Sequence, residues 1–203
     1  MIVTIHQPNY IPWLGFFQKL LLSDTYVVFD DVQYPRGKDY ANRNQIKTNN
    51  GKLWLTIPVI GKSELKPWNQ IEINKGDGWV NKHLTNIESF YKKTPYFEKY
   101  YPKIKEIYLI KEHKLLIDLN LDLIKYFLEI LDKKINIVFS SSMKTNVTSR
   151  FENSGLDKIL HILNHLKATK YVSGEGDGSK RYINEDLFKA HNIELVWQNF
   201  THP

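Results

Sequence analysis

Five polar stretches in this chain each follow a short apolar run, and their residue types suit proton transfer and the recognition of hydroxyl or anionic groups. The first is His6-Gln7-Pro8-Asn9, which sets an imidazole for acid–base work beside two side-chain amides that can hold hydroxyls. A simple turn needs none of these groups, although the same residues can also cap a bend, with His6 satisfied by backbone carbonyls. The second runs from Asp30 through Asp31 to Gln33. Adjacent residues at a strand end point in different directions, so the two carboxylates are not a shared-proton pair. Either one can act singly as a base or bind a hydroxyl or a metal, and one can simply cap a turn. The remaining stretches are Ser140 to Ser142, Ser173 to Ser179, and Gln198 to His202.

Two further features bear on anions. Arg43, between Asn42 and Asn44, is suited to clamp a phosphate or carboxylate, or to pair with Asp30 or Asp31. Ser173-Gly174-Glu175-Gly176-Asp177-Gly178-Ser179 is the Gly-rich loop, and backbone N–H groups of such a loop can cradle a phosphate. Its order differs from the G-x-x-x-x-G-K-[ST] phosphate loop and from the dinucleotide fingerprint, and Glu175 and Asp177 oppose an anion unless basic residues intervene. His161 and His165 have the i, i+4 spacing of metal ligands but lack the H-E-x-x-H pattern, and helical periodicity sets them opposite the apolar face. No metal set is expected, no G-x-S-x-G elbow is present, and the residues leave any cofactor unspecified.

These groups need a frame, and the pattern supplies one. Ile2 to Ile5 reads as a strand, Trp13 to Leu22 as a helix and Thr25 to Phe29 as a buried strand, a unit that favours parallel pairing. Residues 36–75 read as a small antiparallel insertion around the Asn49-Asn50-Gly51 turn, and residues 79–132 as helical. In the last of these helices Asp118, Asp122, Lys125 and Glu129 form one solvent stripe. Strands at Ile135 to Phe139, Lys170 to Val172 and Ile193 to Trp197 then alternate with helices, one led by Asn153 or Ser154 and one capped by Asn184. The expected class is α/β, a mostly parallel doubly wound sheet within a single domain spanning 1–203. In such sheets ligands bind at the carboxyl ends of strands, where the five polar stretches fall.

Composition sets the outer limits. The chain has 203 residues and no cysteine, which excludes disulfides and thiolate chemistry. The opening apolar run is too short for a secretory signal and no stretch is long enough to span a bilayer, so a cytoplasmic protein is expected. The net charge of +6 permits nucleic-acid contact. The lysines, however, are interleaved with acids, as in KYYPKIKEIYLIKEHK, which reads as a solvated helix face, so nucleic acid is disfavoured as a partner.

The motifs HQPNYIPWLGFFQK, SDTYVVFDDVQY and NRNQIKT with LWLTIPV, followed by SSS, KYVSGEG, RYI and VWQNFTHP, resemble the WbqC-like family over essentially the whole chain. The resemblance implies a bacterial protein of surface-polysaccharide, O-antigen type biosynthesis, with a sugar-linked small-molecule substrate and a transferase activity. The alternative is a non-catalytic nucleotide-sugar or partner-binding protein of such a pathway. His6 and Asp30 match the family pattern and are the expected catalytic residues. The expected substrate-binding residues, which also match it, are Gln7, Asn9, Trp13, Asp31, Gln33, Asn42, Arg43, Ser173, Gly174, Tyr182, Gln198 and His202. Members of that family continue past the His-Pro pair into a further helix, so a short member or a fragment is expected here. The first strand and helix are also similar to nucleotidyl-transferring folds with a His-x-Gly-His motif, but Trp13-Leu14-Gly15-Phe16 lacks both imidazoles.

Overall fold

A computed structural model describes residues 1–37, 39–76, 78–143, 154–181 and 183–202. Asn153 and Tyr182, both named above, lie outside the described residues. The chain divides into two compact units. The first comprises Met1–Gln7, Trp13–Asp30 and Asp132–Pro203, the second Pro8–Pro12 and Asp31–Leu131.

In the first unit, β1 (Ile2–His6), α1 (Leu14–Leu21) and β2 (Thr25–Val28) come first in sequence. The second unit holds β3 (Arg43–Thr48), β4 (Gly51–Thr56), β5 (Val59–Ile60), β6 (Glu72–Ile73), α2 (Trp79–Tyr91), α3 (Phe97–Leu109) and α4 (Leu116–Ile130). The first unit then resumes with β7 (Asn136–Phe139), α5 (Ser154–His165), β8 (Lys170–Ser173), α6 (Asp177–Lys180), α7 (Glu185–Ala190) and β9 (Glu194–Trp197).

The first unit is a five-stranded sheet in the order β7-β2-β1-β8-β9, every pair parallel. β-Branched residues dominate β1, and the whole of β2 is buried, as expected of strands covered on both faces. Asp24 sets the register where β1 and β2 begin: its Oδ2 accepts from the Ile2 N–H at 2.8 Å and its own N–H donates to the Ile2 carbonyl at 2.9 Å. The core gathers Val3, Ile5, Val27, Leu160, Leu163, Tyr171 and Phe188. Asn184 caps α7 through its Oδ1, which accepts from the Asp186 N–H at 3.0 Å, as the sequence predicts. His165 is exposed, but His161 is half-buried rather than on an open face.

Strands that follow one another in sequence move outward from β1 through β2 to β7, and then from β8 to β9 on the other side. The direction of winding therefore reverses between β1 and β8. That reversal is the topological switch point at which open α/β sheets bind ligands.

The second unit is antiparallel and helical. β3 and β4 form the expected hairpin, with Thr48 paired to Gly51 across the Asn49-Asn50 turn. Gly51 takes a φ of +133°, a conformation costly for any residue with a side chain. Its core contains Tyr10, Tyr34, Trp68, Ile71, Leu116 and Leu119. The segment Pro8–Pro12 is part of this unit. Tyr10 donates its N–H to the Ala41 carbonyl at 3.2 Å, and Asn120 Nδ2 donates to the carbonyls of Pro8 at 2.7 Å and Ala41 at 3.0 Å.

Candidate functional site

The carboxyl edge of the parallel sheet collects His6, Asp30, Ser140, Ser141, Ser173, Gly174 and Gln198 from five strand ends, all within the first unit. His6 closes β1. Its Nδ1–H donates to the Gln7 carbonyl at 2.8 Å, which leaves Nε2 as the accepting nitrogen, and its ring meets Phe16 edge-on at 5.1 Å. Burial, and then the charge of Lys19, hold its pKa down at about 3, so the imidazole is neutral in ordinary solution. Beneath it, the Tyr26 hydroxyl donates to the His6 carbonyl at 3.2 Å. Burial and the Asp30 charge push that phenol well above its ordinary pKa, so it stays a donor.

Asp30 is buried, and the turn after β7 surrounds its carboxylate. Oδ1 accepts from Ser140 Oγ at 3.0 Å and the Ser141 N–H at 2.9 Å, and Oδ2 accepts from Ser141 Oγ at 2.6 Å. These bonds tie the ends of neighbouring strands β2 and β7 together.

Gln198 lies just beyond β9, the strand next to β8, and is buried. Its N–H donates to the Ser173 carbonyl at 2.8 Å, and its Nε2 donates to the Gly15 carbonyl at 2.5 Å and to Gln18 Oε1 at 2.7 Å. With both amide hydrogens engaged on α1, Oε1 faces Gly174. A Cβ placed on Gly174 would stand 3.8 Å from Gln198 Oε1, 3.8 Å from Ser179 Oγ and 4.0 Å from Lys19 Nζ. The absent side chain leaves a small hollow rimmed by an amide oxygen, a hydroxyl and an amine. Lys19 reaches it from α1 and is only 5% exposed, and burial holds its amine down at about 7. Trp13 begins α1 with an exposed indole that lies across Gly15, where a Cβ would come within 2.1 Å of the ring, and it meets Phe200 edge-on at 5.0 Å. Glycine at position 15 is what lets the indole lie there. His202 is exposed and stands 6.0 Å from Phe200, ring to ring.

The family model for WbqC-like proteins matches residues 7–203. The chain belongs to the WbqC-like protein family. It is also similar to the uncharacterized protein Rv1507c of Mycobacterium tuberculosis, with 28% identity over 198 residues that cover 98% of this chain and 82% of that protein. No solved structure matches the chain significantly.

The other family-pattern residues of this WbqC-like chain lie in the second unit. Asn9 is half-exposed between buried Pro8 and Tyr10, Asp31 is half-buried, and Gln33 is exposed and bridges to Pro67. Asn42 is buried and donates to the Ile57 carbonyl at 2.6 Å, while its Oδ1 has no hydrogen-bond partner among the described residues. The Arg43 guanidinium lies 3.6 Å over the Trp54 ring, stacked rather than paired with a carboxylate among the described residues. Asn44 Nδ2 donates to the Ile11 carbonyl at 2.6 Å, and Ile11 takes a φ of +41°, rare for a β-branched residue. A buried chain runs from Tyr108 through Tyr10 to His83, whose Nδ1 accepts from the Tyr10 hydroxyl at 3.0 Å. The same unit carries two clefts, one of about 320 Å³ along α3, where Tyr91, Tyr96, Phe97, Tyr100, Tyr101 and Phe127 are among its lining residues, and one of about 230 Å³ beside Trp79, Tyr108 and His113.

Among the described residues no three His, Asp or Glu side chains group to hold a metal ion, and no helix is long and apolar enough to cross a membrane. Sequence reasoning missed Lys19, Tyr26 and Asn120. A signal for Lys19 existed: a lysine three residues after Phe16 and four after Gly15 falls on the apolar face of α1. Asn120 likewise stands off the polar stripe of α4.

Proposed function

We propose that this WbqC-like protein transfers a group from or to an activated sugar or surface-polysaccharide precursor, with the switch-point edge between β1 and β8 as its substrate site. The convergence of His6, Gly174 and Gln198 on that edge is the observation that carries this reading. In such a transfer the acceptor O–H bond breaks as the new bond forms and an anionic leaving group departs. Neutral His6 would receive the acceptor hydroxyl as a hydrogen bond at Nε2 and take its proton as the bond forms. Gln198 Oε1, aimed at the hollow, suits a sugar hydroxyl. Asp30 would act through Ser140 and Ser141, holding the edge in place. Most of the rate gain would come from positioning.

The test is a panel of sugar donors and acceptors assayed with the wild type and His6→Ala. Product from the wild type, lost in a folded His6→Ala protein, supports the reading; equal turnover in the variant removes His6 from it. The low pKa of His6 favours a second reading, a non-catalytic nucleotide-sugar or partner-binding protein, because so weak a base is a modest catalyst. That reading predicts thermal stabilisation by ligand with no product from any pair.

A further inference from the structure

Lys19 is the group at this edge that the transfer scheme leaves without a task. Its side chain lies almost wholly inside the first unit, yet no hydrogen bond or ion pair with a described residue reaches Nζ. Folds rarely take an ammonium out of water without a counter-charge, because the lost hydration is not returned. Buried basic groups are normally paired or carry a ligand, and nothing among the described residues pairs with this one. The amine points to the hollow over Gly174, where the Ser179 hydroxyl is a second donor at the same distance scale. Burial holds the amine at about 7, so it is readily protonated when an anion arrives.

The position of the hollow adds a second, independent argument. It lies at the winding reversal between β1 and β8, where a Gly-rich loop follows a parallel strand. Open α/β sheets receive phosphate-bearing ligands at this point. Glu175, which follows Gly174 in the loop, is exposed. The mixed rim also has a chemical reading: an amine and a hydroxyl for charged oxygens, and the Gln198 amide oxygen for a ligand hydroxyl.

We infer that Lys19, Gly174 and Ser179 form a binding site for a phosphoryl group, with Gln198 receiving a hydroxyl of the same ligand. The inference rests on the reading of this edge as the substrate site and adds the class of substrate: a phosphorylated sugar, free or nucleotide-linked. Arg43, the sequence-level candidate for this task, is stacked on Trp54 in the other unit.

The test is calorimetric titration of the full chain, at mildly acidic pH and constant ionic strength, with inorganic phosphate and with glucose 1-phosphate. The wild type should bind both, the sugar phosphate more tightly. Lys19→Met should weaken both by about tenfold or more, the usual scale for losing a charge-assisted contact. Gly174→Ala is the second variant. Its methyl group would meet its neighbours at ordinary contact distances of 3.8 to 4.0 Å, so the protein should fold while the hollow is filled, and binding should fall similarly. Equal affinity for the two ligands, still lost in both variants, upholds the phosphoryl site and counts against a sugar substrate. Wild-type binding by folded Lys19→Met and Gly174→Ala, or no binding of either ligand by the wild type, overturns the inference. Loss of turnover in His6→Ala alongside unchanged binding in Lys19→Met would leave the transfer reading standing and remove only the phosphoryl site.

Discussion

Gln198 holds Gly15: the side-chain amide beyond the last strand donates to the carbonyl in the first turn of α1 at 2.5 Å. The bond fixes the segment after β9 against α1 and turns the remaining amide oxygen to the hollow at Gly174. Gln198→Leu should leave the Gly15 carbonyl and Gln18 Oε1 without that donor. The expected cost is about 1–3 kcal/mol, read by urea unfolding. An unchanged midpoint would mean that water replaces the amide at no cost.

Asp30 and the Ser140-Ser141 turn make a comparable clasp between β2 and β7. Asp30→Ala should destabilise by about 2–4 kcal/mol, because it removes the acceptor of three donors at once, the buried Ser140 hydroxyl among them. Asp30→Asn keeps the shape and some acceptors and should be milder. If Asp30 acts only by holding the edge, stability and activity should fall together across the two variants. An Asp30→Asn protein of wild-type stability without turnover would instead make the carboxylate a reacting group.

Acid stability should report His6. Its folded pKa of about 3 lies below the ordinary 6.5, so between these values the unfolded chain binds the extra proton. Stability should therefore fall as pH drops from about 6.5 to about 3, with a limiting slope of about 1.4 kcal/mol per pH unit from this group. His6→Gln should flatten that slope. The imidazole should also remain neutral by NMR at pH values where an exposed histidine is charged.

Lys19 should act on the alkaline side with the same sign. Its folded pKa of about 7 lies below the ordinary 10.5, so stability should rise with pH between these values as the buried charge is released. Lys19→Met should be more stable than the wild type near pH 7 and below, and should lose the rise above it. A steeper rise in the variant would show that the amine is paired in the native protein.

In the second unit, Asn120→Leu should remove the donors that hold the Pro8 and Ala41 carbonyls. The expected loss is about 1–3 kcal/mol in denaturant, and Asn120→Asp, which keeps the shape but not the donors, should not rescue it.

The sheet was legible because its signals are local. Ile2 to Ile5 and Thr25 to Phe29 are β-branched and apolar runs, and the Asn49-Asn50-Gly51 turn declares its hairpin by residue type. The polar strand ends were equally visible, since a fully buried strand must stop where His6 or Asp30 begins. What sequence could not show was which side chain each polar group would meet. Gln198 and Gly15 are 183 positions apart, and only the parallel order of five strands brings them into contact. The opening motif also divides in a way no periodicity reveals: His6 and Gln7 belong to the first unit, whereas Pro8 to Pro12 are anchored in the second by Asn120 and Asn44. Lys19 was overlooked for a different reason: a lysine in a helix is read by default as solvent-facing, although its spacing to Gly15 and Phe16 sets it on the apolar face of α1.

The most direct measurement is a crystal structure of the protein soaked with a nucleoside-diphosphate sugar. Density for the ligand is expected at the carboxyl edge between β1 and β8, with phosphoryl oxygens at Lys19 and Gly174 and a hydroxyl near His6 Nε2. Ordered ligand density confined to the aromatic cleft along α3, with the β1/β8 edge empty, would contradict it.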